Sequence, residues 1–369
     1  MKQKLKICSP QLGLSKNSNL GGEIHDAFLL ESLAKKGVII YIILPKKRDF
    51  PKHKNIIPKF LPFNSIFPPF LFNFLILPHL FKIYQKNKFQ LLRIHSPYFV
   101  GPAAIIFKKF IPSIKLIATY HHLENNPLFN FLDTIIINRW DKIICVSQSV
   151  KNELVKKFSI NSKKISVIPN GIDPKIQPQS KDKSLVKKLK LSGKTILLYL
   201  GQLSQRKNVK FLIKVILKLS SNFSLLLVGD GPQKSQLLSE VRQKNLKTRI
   251  NFTGLVTREE KTKYLNLADI FLYPTKKEGF GLTVLEAMAC GQPVICSDIP
   301  VLREVVQDKQ NGFLLKPNKS KDWVALIKKI NKDSETKNRI GERAKTVKQK
   351  FTWNKTAEQT IKVYQDIFK

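Results

Sequence analysis

Short, unbroken apolar runs recur along the chain, and they narrow its architecture more than any other feature. Val38–Leu44 is apolar throughout and is closed by Pro45. A run that short and without polar alternation reads as a strand buried on both faces, the environment of a parallel sheet covered by helices. Similar strands are predicted at Leu5–Cys8, Leu91–His95, Ile114–Tyr120, Lys142–Val146 and Ile165–Ile168. Between the first two lies a loop reaching Gly21-Gly22, then a helical pattern from about Glu23 to Lys36. Ile24, Ala27, Phe28, Leu30, Leu33 and Ala34 form its apolar face, with Lys35-Lys36 at its end and Gly37 as its stop.

The second half repeats this grammar. Strands are predicted at Thr195–Leu200, Leu225–Val228, Ile250–Phe252, Ile270–Tyr273, Val294–Cys296 and Phe313–Leu315, alternating with helices such as Val209–Leu219 and Arg258–Leu267. Thr257 and Glu260 have capping-box spacing at the start of the latter. Pro169-Asn170-Gly171-Ile172-Asp173-Pro174 punctuates the middle, and the lysine- and serine-rich stretch to about Gly193 reads as a connection. The fold class is therefore α/β, with two Rossmann-like domains and a cleft between them: residues 1–170, 171–350, and a terminal amphipathic helix in 351–369.

Composition matters mainly through charge. With 65 Lys+Arg against 26 Asp+Glu the formal net charge is +39, while 43% hydrophobic residues exclude a disordered chain. A field of that size attracts polyanions: nucleic acid, anionic lipid or phosphorylated substrates. The alternative is a general lysine bias, since the lysines run through the whole chain. Cys8, Cys145, Cys290 and Cys296 form no Cys-x-x-Cys pair and sit in apolar contexts, which fits a reducing cytosol rather than a disulfide framework or zinc site. Lys2, Lys4 and Lys6 leave no room for a signal-peptide core, so a cytoplasmic location is expected.

Residues 46–88 stand apart. They hold nine Lys/Arg and one acid, Asp49, around an uncharged stretch from Phe60 to Phe81 rich in Phe, Leu, Ile and Pro. Pro68-Pro69 and Pro78 interrupt it, so it does not span a bilayer as one helix. An apolar wedge flanked by lysines suits a protein lying on an anionic membrane; the rival is a core helix with solvated loops.

The chemistry concentrates in Lys277-Glu278-Gly279-Phe280-Gly281-Leu282-Thr283-Val284-Leu285-Glu286. A strand leads into two carboxylates that bracket a Gly-Phe-Gly turn, and a helix follows. The amides at Phe280–Thr283 suit a phosphate at a helix N-terminus, and Glu278 suits sugar hydroxyls. Glu286 suits a ribose, unless Thr283 and Glu286 form a capping box. Gly201-Gln202-Leu203-Ser204-Gln205-Arg206-Lys207 places a fork and a point charge where a diphosphate would be neutralised. Val228-Gly229-Asp230-Gly231-Pro232 and Thr253-Gly254-Leu255-Val256 are glycine turns at strand ends.

The paired glutamates resemble the E-x7-E signature of retaining glycosyltransferases of family four. Gly21-Gly22-Glu23, Ala118-Thr119-Tyr120-His121, Val146-Ser147, Ile168–Asp173, Gly201…Asn208, Val228–Pro232, Phe252-Thr253-Gly254, Ala268-Asp269 and Phe351-Thr352-Trp353 are similar to that family in its order. The resemblance implies a GT-B fold with the C-terminal helix returning to the N-terminal domain. It implies donor binding by Arg206, Lys207, Gly231, Leu255, Val256, Glu278, Gly279, Phe280, Gly281, Leu282 and Glu286. His121, Glu278 and Lys207 are the expected catalytic residues, with His121 preferred to the adjacent His122, and Gly21-Gly22 the acceptor/diphosphate loop. The chain departs from the family at Gln202, where arginine is usual, so either the nearby Arg206 compensates or donor affinity is lower.

The donor is then a nucleotide-diphosphate-sugar, and the acceptor a glycan or lipid-linked molecule at the inner membrane face. No cofactor or metal is expected; no Asp-x-Asp occurs. Two other readings are a sugar-nucleotide epimerase or phosphorylase on the same fold, and a basic nucleic-acid-binding protein. The latter has only charge in its favour.

Overall fold

The computed structural model describes residues 4–18, 20–123 and 126–369; Lys2 lies outside them. The chain divides into two compact units. One holds the residues up to Gly171 together with Trp353–Lys369, and the other is Ile172–Thr352.

The first unit is built on a seven-stranded sheet: β1 (Lys6–Pro10), β2 (Ile39–Pro45), β3 (Ile56–Leu61), β4 (Leu91–Ile94), β5 (Lys115–Tyr120), β6 (Lys142–Cys145) and β7 (Ile165–Val167). The order is β3-β2-β1-β4-β5-β6-β7, and the pairings are parallel. Ile7 pairs with Ile40 on one side and Leu91 on the other, and all three are fully buried. This is what the unbroken apolar runs require: a central strand has no solvent face to keep polar.

The tail completes this core. In the helix Trp353–Asp366, Trp353 stacks on Phe28 of the helix Gly21–Lys35 with centroids 5.4 Å apart, while Ala357 and Tyr364 are fully buried. Thr356 donates to the Pro169 carbonyl at 2.8 Å and Lys36 to Glu358 at 2.8 Å.

The second unit has β8 (Thr195–Leu200), β9 (Phe223–Val228), β10 (Ile250–Gly254), β11 (Ile270–Tyr273), β12 (Val294–Ser297) and β13 (Phe313–Leu315), in the parallel order β10-β9-β8-β11-β12-β13. The Thr257–Glu260 capping box forms in full at the helix Arg258–Leu267.

Four expectations are corrected. β3 lies within the stretch read only as basic and apolar; as an edge strand it tolerates Pro58, whose missing N–H leaves no ladder bond open on a paired side. The helix Phe72–Asn87 continues through Pro78, whose ring is exposed to solvent. Gly21 and Gly22 open the first helix rather than ending a loop before it. The presumed connection to Gly193 belongs to the second unit. Asn266 donates to the Gln177 carbonyl at 3.0 Å and accepts from the Gln179 N–H at 2.8 Å, and Asp182 caps a short helix, Lys183–Lys188.

Among the described residues, no helix is long and apolar enough to cross a membrane.

Candidate active site

In open parallel sheets, ligands sit beyond the carboxyl ends of the strands where the strand order reverses. That reversal falls between β8 and β11 in the second unit and between β1 and β4 in the first. Each place carries a cluster of buried charged or titratable side chains.

In the second unit, β8 runs into the turn holding Arg206 and Lys207, and β11 into the one holding Glu278. Lys207 donates to Glu278 Oε2 and to the Tyr273 hydroxyl, and Tyr273 donates to the same oxygen at 2.7 Å. Glu278 Oε1 accepts from the Gly279 N–H at 3.0 Å, and Arg206 Nη1 stands 3.7 Å from it. Burial alone would raise the Glu278 pKa, but Lys207 and Arg206 hold it at about 2. Burial also outweighs the carboxylate's pull on Lys207, which is held below its usual range, and pushes the Tyr273 phenol well up. The group is a preorganised cation–carboxylate pair, tied to the backbone by Arg206 donating to the Lys277 carbonyl at 3.1 Å.

The neighbouring loops interlock. Leu203 N–H donates to the Asp230 carbonyl at 2.9 Å, Gln233 N–H to the Leu203 carbonyl at 3.0 Å, and Lys276 N–H to the Arg206 carbonyl at 2.9 Å. Gly231 permits this: a Cβ there would stand 2.5 Å from the Leu203 carbonyl oxygen. Gly231→Ala is expected to cost ~1–3 kcal/mol through that overpacking, read as a lower urea midpoint.

Gly281 is the N-cap of the helix Leu282–Ala289, with φ of 93°, a conformation that favours glycine. Phe280 turns inward against Phe351, at 5.8 Å between centroids, and Gly279 and Gly281 on either side of it are buried as well. The Thr283–Glu286 capping box does not form, because Gly281 takes the cap and Glu286 falls inside the helix. Glu286, 3% exposed, is instead gripped by Lys261 at 2.7 and 2.9 Å. Leu255 is exposed and Val256 half-buried in the turn before the Lys261 helix. The Gln202 backbone carbonyl accepts from the Tyr199 hydroxyl at 2.8 Å, and Arg206 is the second cation beside Glu278.

In the first unit, His121 follows β5 and His95 follows β4. His121 Nε2 lies 3.3 Å from His95 Nδ1, which lies 3.0 Å from Asp26 Oδ1. Asp26 and Arg93 are both fully buried and form a two-pronged pair at 2.5 and 2.6 Å, and Gln11 adds a bond at 2.5 Å. Burial opposes the Asp26 charge, but Arg93 and His95 hold its pKa well below the usual range. His25 donates from Nδ1 to Asn170 Oδ1 at 2.7 Å, so its buried Nε2 carries a lone pair. Burial brings His25 down to about 3 and, with His25 and His95 nearby, holds His121 well below its usual value, so both rings are neutral at neutral pH. A Cβ on Gly22 would stand 3.1 Å from His95 Nε2 and 4.0 Å from the His121 ring, whereas Gly21 faces open space. His122 is half-buried beside this cluster.

His25, Asp26 and His121 offer donor atoms within 4.8 Å of one another. Arg93 already neutralises the only carboxylate, so the set offers a cation no net negative charge.

Two family models match: "Glycosyltransferase Family 4" over residues 21–176 and "Glycosyl transferases group 1" over residues 180–347. The chain belongs to the family-four, group 1 glycosyltransferases. It is 27% identical over its full length to N-acetyl-alpha-D-glucosaminyl L-malate synthase of Bacillus anthracis, covering 98% of that protein. It is 32% identical to the O-antigen chain mannosyltransferase RfbU of Salmonella typhimurium over 55% of this chain and 54% of that one. Among solved structures it is similar to sucrose-phosphate synthase from Thermosynechococcus elongatus, with TM-score 0.84, 21% identity and 99% of each chain covered. It is also similar to Anabaena HepE in complex with UDP-glucose, with TM-score 0.81, 18% identity, and 98% and 100% covered. These likenesses give the fold as GT-B and the enzyme as a glycosyltransferase.

Sequence reasoning missed His95, Asp26, Arg93, Tyr273 and Lys261. His95 had a legible signal, since it ends a predicted strand as His121 does. Lys261 had none, being one lysine among many on a helix.

Proposed function

We propose that this glycosyltransferase moves a sugar, with retention of configuration and without a metal, from a nucleotide-diphosphate-sugar to a lipid or lipid-linked glycan at the cytosolic membrane face. The observation that carries the donor half is the Lys207–Glu278 pair, with Arg206 beside it, at the strand-order reversal of the second unit. HepE, of the same fold, was solved with UDP-glucose, which supports a nucleotide sugar as donor.

In this reading Lys207 and Arg206 neutralise the diphosphate, and the amides of Phe280–Leu282 meet its oxygens or the sugar, the Gly279 amide being held by Glu278. Gly231 lets the two phosphate-side loops close up. Glu278 orients sugar hydroxyls while keeping Lys207 in place, Glu286 takes the ribose with Lys261 holding its carboxylate, and Leu255-Val256 faces the base. Transfer breaks the anomeric C–O bond, and its electron pair leaves on the diphosphate. The acceptor hydroxyl attacks the same face of the sugar, and its proton passes to the departing phosphate oxygen. Fixed cations at the leaving group are the main source of rate in such a step. Neutral His121 hydrogen-bonds the sugar, and Gly21-Gly22 lies on the acceptor/diphosphate side. Exposed Phe63, Phe67, Phe70 and Phe74 and the cations of residues 46–88 support a membrane-borne acceptor.

The test is a melting-temperature screen against UDP-, GDP- and ADP-sugars, followed by product analysis. One nucleotide series should raise the midpoint with concentration, chelators should leave transfer unchanged, and Glu278→Ala and Lys207→Ala should abolish it. Unchanged transfer in both variants would sink the site assignment; sugar conversion without any acceptor would favour an epimerase.

A further inference from the structure

The region that most needs a partner is the start of the helix Phe72–Asn87 and the loop before it. Phe67 is 88% exposed, Phe74 71%, Phe70 53% and Phe63 47%, a density of bare aromatic rings that soluble surfaces seldom carry. Phe63, Ile66, Phe67, Leu71, Phe74 and Leu75 line an open groove of about 280 Å³, with Ser65 the polar residue at its wall. Small-molecule sites usually run to ~300–1,000 Å³ and present several convergent polar groups. This groove is smaller and nearly all apolar, which suits a length of hydrocarbon chain.

Charge identifies where such a chain comes from. Lys59 on β3 and Lys82 on the helix are exposed, and both act on His79, one turn beyond Leu75. Along the helix's exposed face, rings and Leu71 occupy the N-terminal end, and Lys82 and Lys86 the C-terminal end. Asp49 is the single acid in residues 46–88 and accepts from Ser15 at 3.3 Å, so no carboxylate in this region answers these lysines. An apolar end beside unanswered cations matches a bilayer interface, where hydrocarbon lies next to anionic headgroups.

We propose that this groove takes an acyl chain of an anionic lipid bilayer, with Lys59, Lys82 and Lys86 on the headgroups, and that it anchors the first unit to the membrane surface. The inference deepens the membrane half of the proposed function and is independent of its donor half.

The full chain is sedimented with vesicles of phosphatidylcholine, with and without phosphatidylglycerol. Binding is expected only where phosphatidylglycerol is present. Phe67→Ser with Phe74→Ser should weaken it at least about tenfold, as losing burial of two rings implies, while the melting midpoint stays unchanged because both rings are exposed. Lys59→Glu with Lys82→Glu should abolish it. Phe74→Trp should be quenched by lipids brominated on their acyl chains, against the buried background of Trp140, Trp323 and Trp353. Undiminished binding of the phenylalanine variant, or an unquenched Trp, would show headgroup attraction alone and overturn the proposal. A switch of that variant from oligomer to monomer with vesicle binding intact would assign the groove to a second copy instead. Phe-dependent binding in a protein that no nucleotide sugar stabilises would leave the groove standing and remove the donor reading.

Discussion

Replacing Lys207 with methionine is expected to lower kcat/KM by ~10²–10³, the usual cost of removing one preorganised group from a developing anion. Methionine keeps the length of the stem and removes the charge. Because Lys207 also holds Glu278, the variant loses donor orientation along with phosphate neutralisation. Glu278 would be left with Tyr273, the Gly279 amide and the more distant Arg206. A pH series separates these effects. The Glu278 pKa is about 2 in the folded protein, below its ordinary value of 4.5. Its contribution to stability is therefore fully present above about pH 4.5 and is lost as pH falls toward 2. In Lys207→Met the folded-state carboxyl titrates closer to its unfolded value, so the urea midpoint should be lower near neutral pH but fall less on acidification than in the parent. Lys207→Arg keeps the charge and should retain the parent's neutral-pH midpoint and its acid dependence while still losing part of the rate, because the planar fork does not fit a point-charge site. Steady-state kinetics and urea melts on the three proteins decide it; equal kinetics in Lys207→Met would remove Lys207 from the chemistry.

The larger stability effect belongs to Asp26→Asn, which leaves Arg93 charged and fully buried with no counterion. Breaking such a pair costs ~3–5 kcal/mol, a large part of the stability of most domains. Asp26 titrates well below 3.8 in the folded state. Its contribution is thus complete above about pH 4 and lost as pH falls below it, and Asp26→Asn should show a shallower acid dependence than the parent. The double variant Asp26→Leu with Arg93→Met removes both charges at similar volume and should recover most of the stability. It should not recover activity, because His95 would lose the carboxylate that orients it 3.3 Å from His121. Denaturation and transfer assays on single and double variants test this; full activity in the stable double variant would show that the cluster serves folding alone.

The elements that were legible in the sequence are those set by local periodicity and punctuation. β8, β11 and β13 and the helix Arg258–Leu267 lie at the predicted residues, because an unbroken apolar run or a capping box depends only on near neighbours. β3 was illegible because an edge strand buries little and its alternation is weak: only Ile56 and Leu61 are buried. The helix through Pro78 was illegible because packing of Phe72, Ile76 and Leu80 outweighs a local breaker.

The same division runs through the site. The sequence by itself determined that Lys207 and Glu278 each follow a strand and that a Gly-Phe-Gly turn leads into the next helix. Only the tertiary structure decided that β8 and β11 are neighbours, which brings together a lysine and a glutamate 71 positions apart. It alone gave Glu286 to Lys261 rather than to a helix cap, and set a buried Asp26–Arg93 pair beneath two histidines. The physical reason is range. Backbone propensity and apolar period are fixed within a few residues, whereas strand order and charge pairing are chosen by what the whole core can bury and what each buried charge finds beside it.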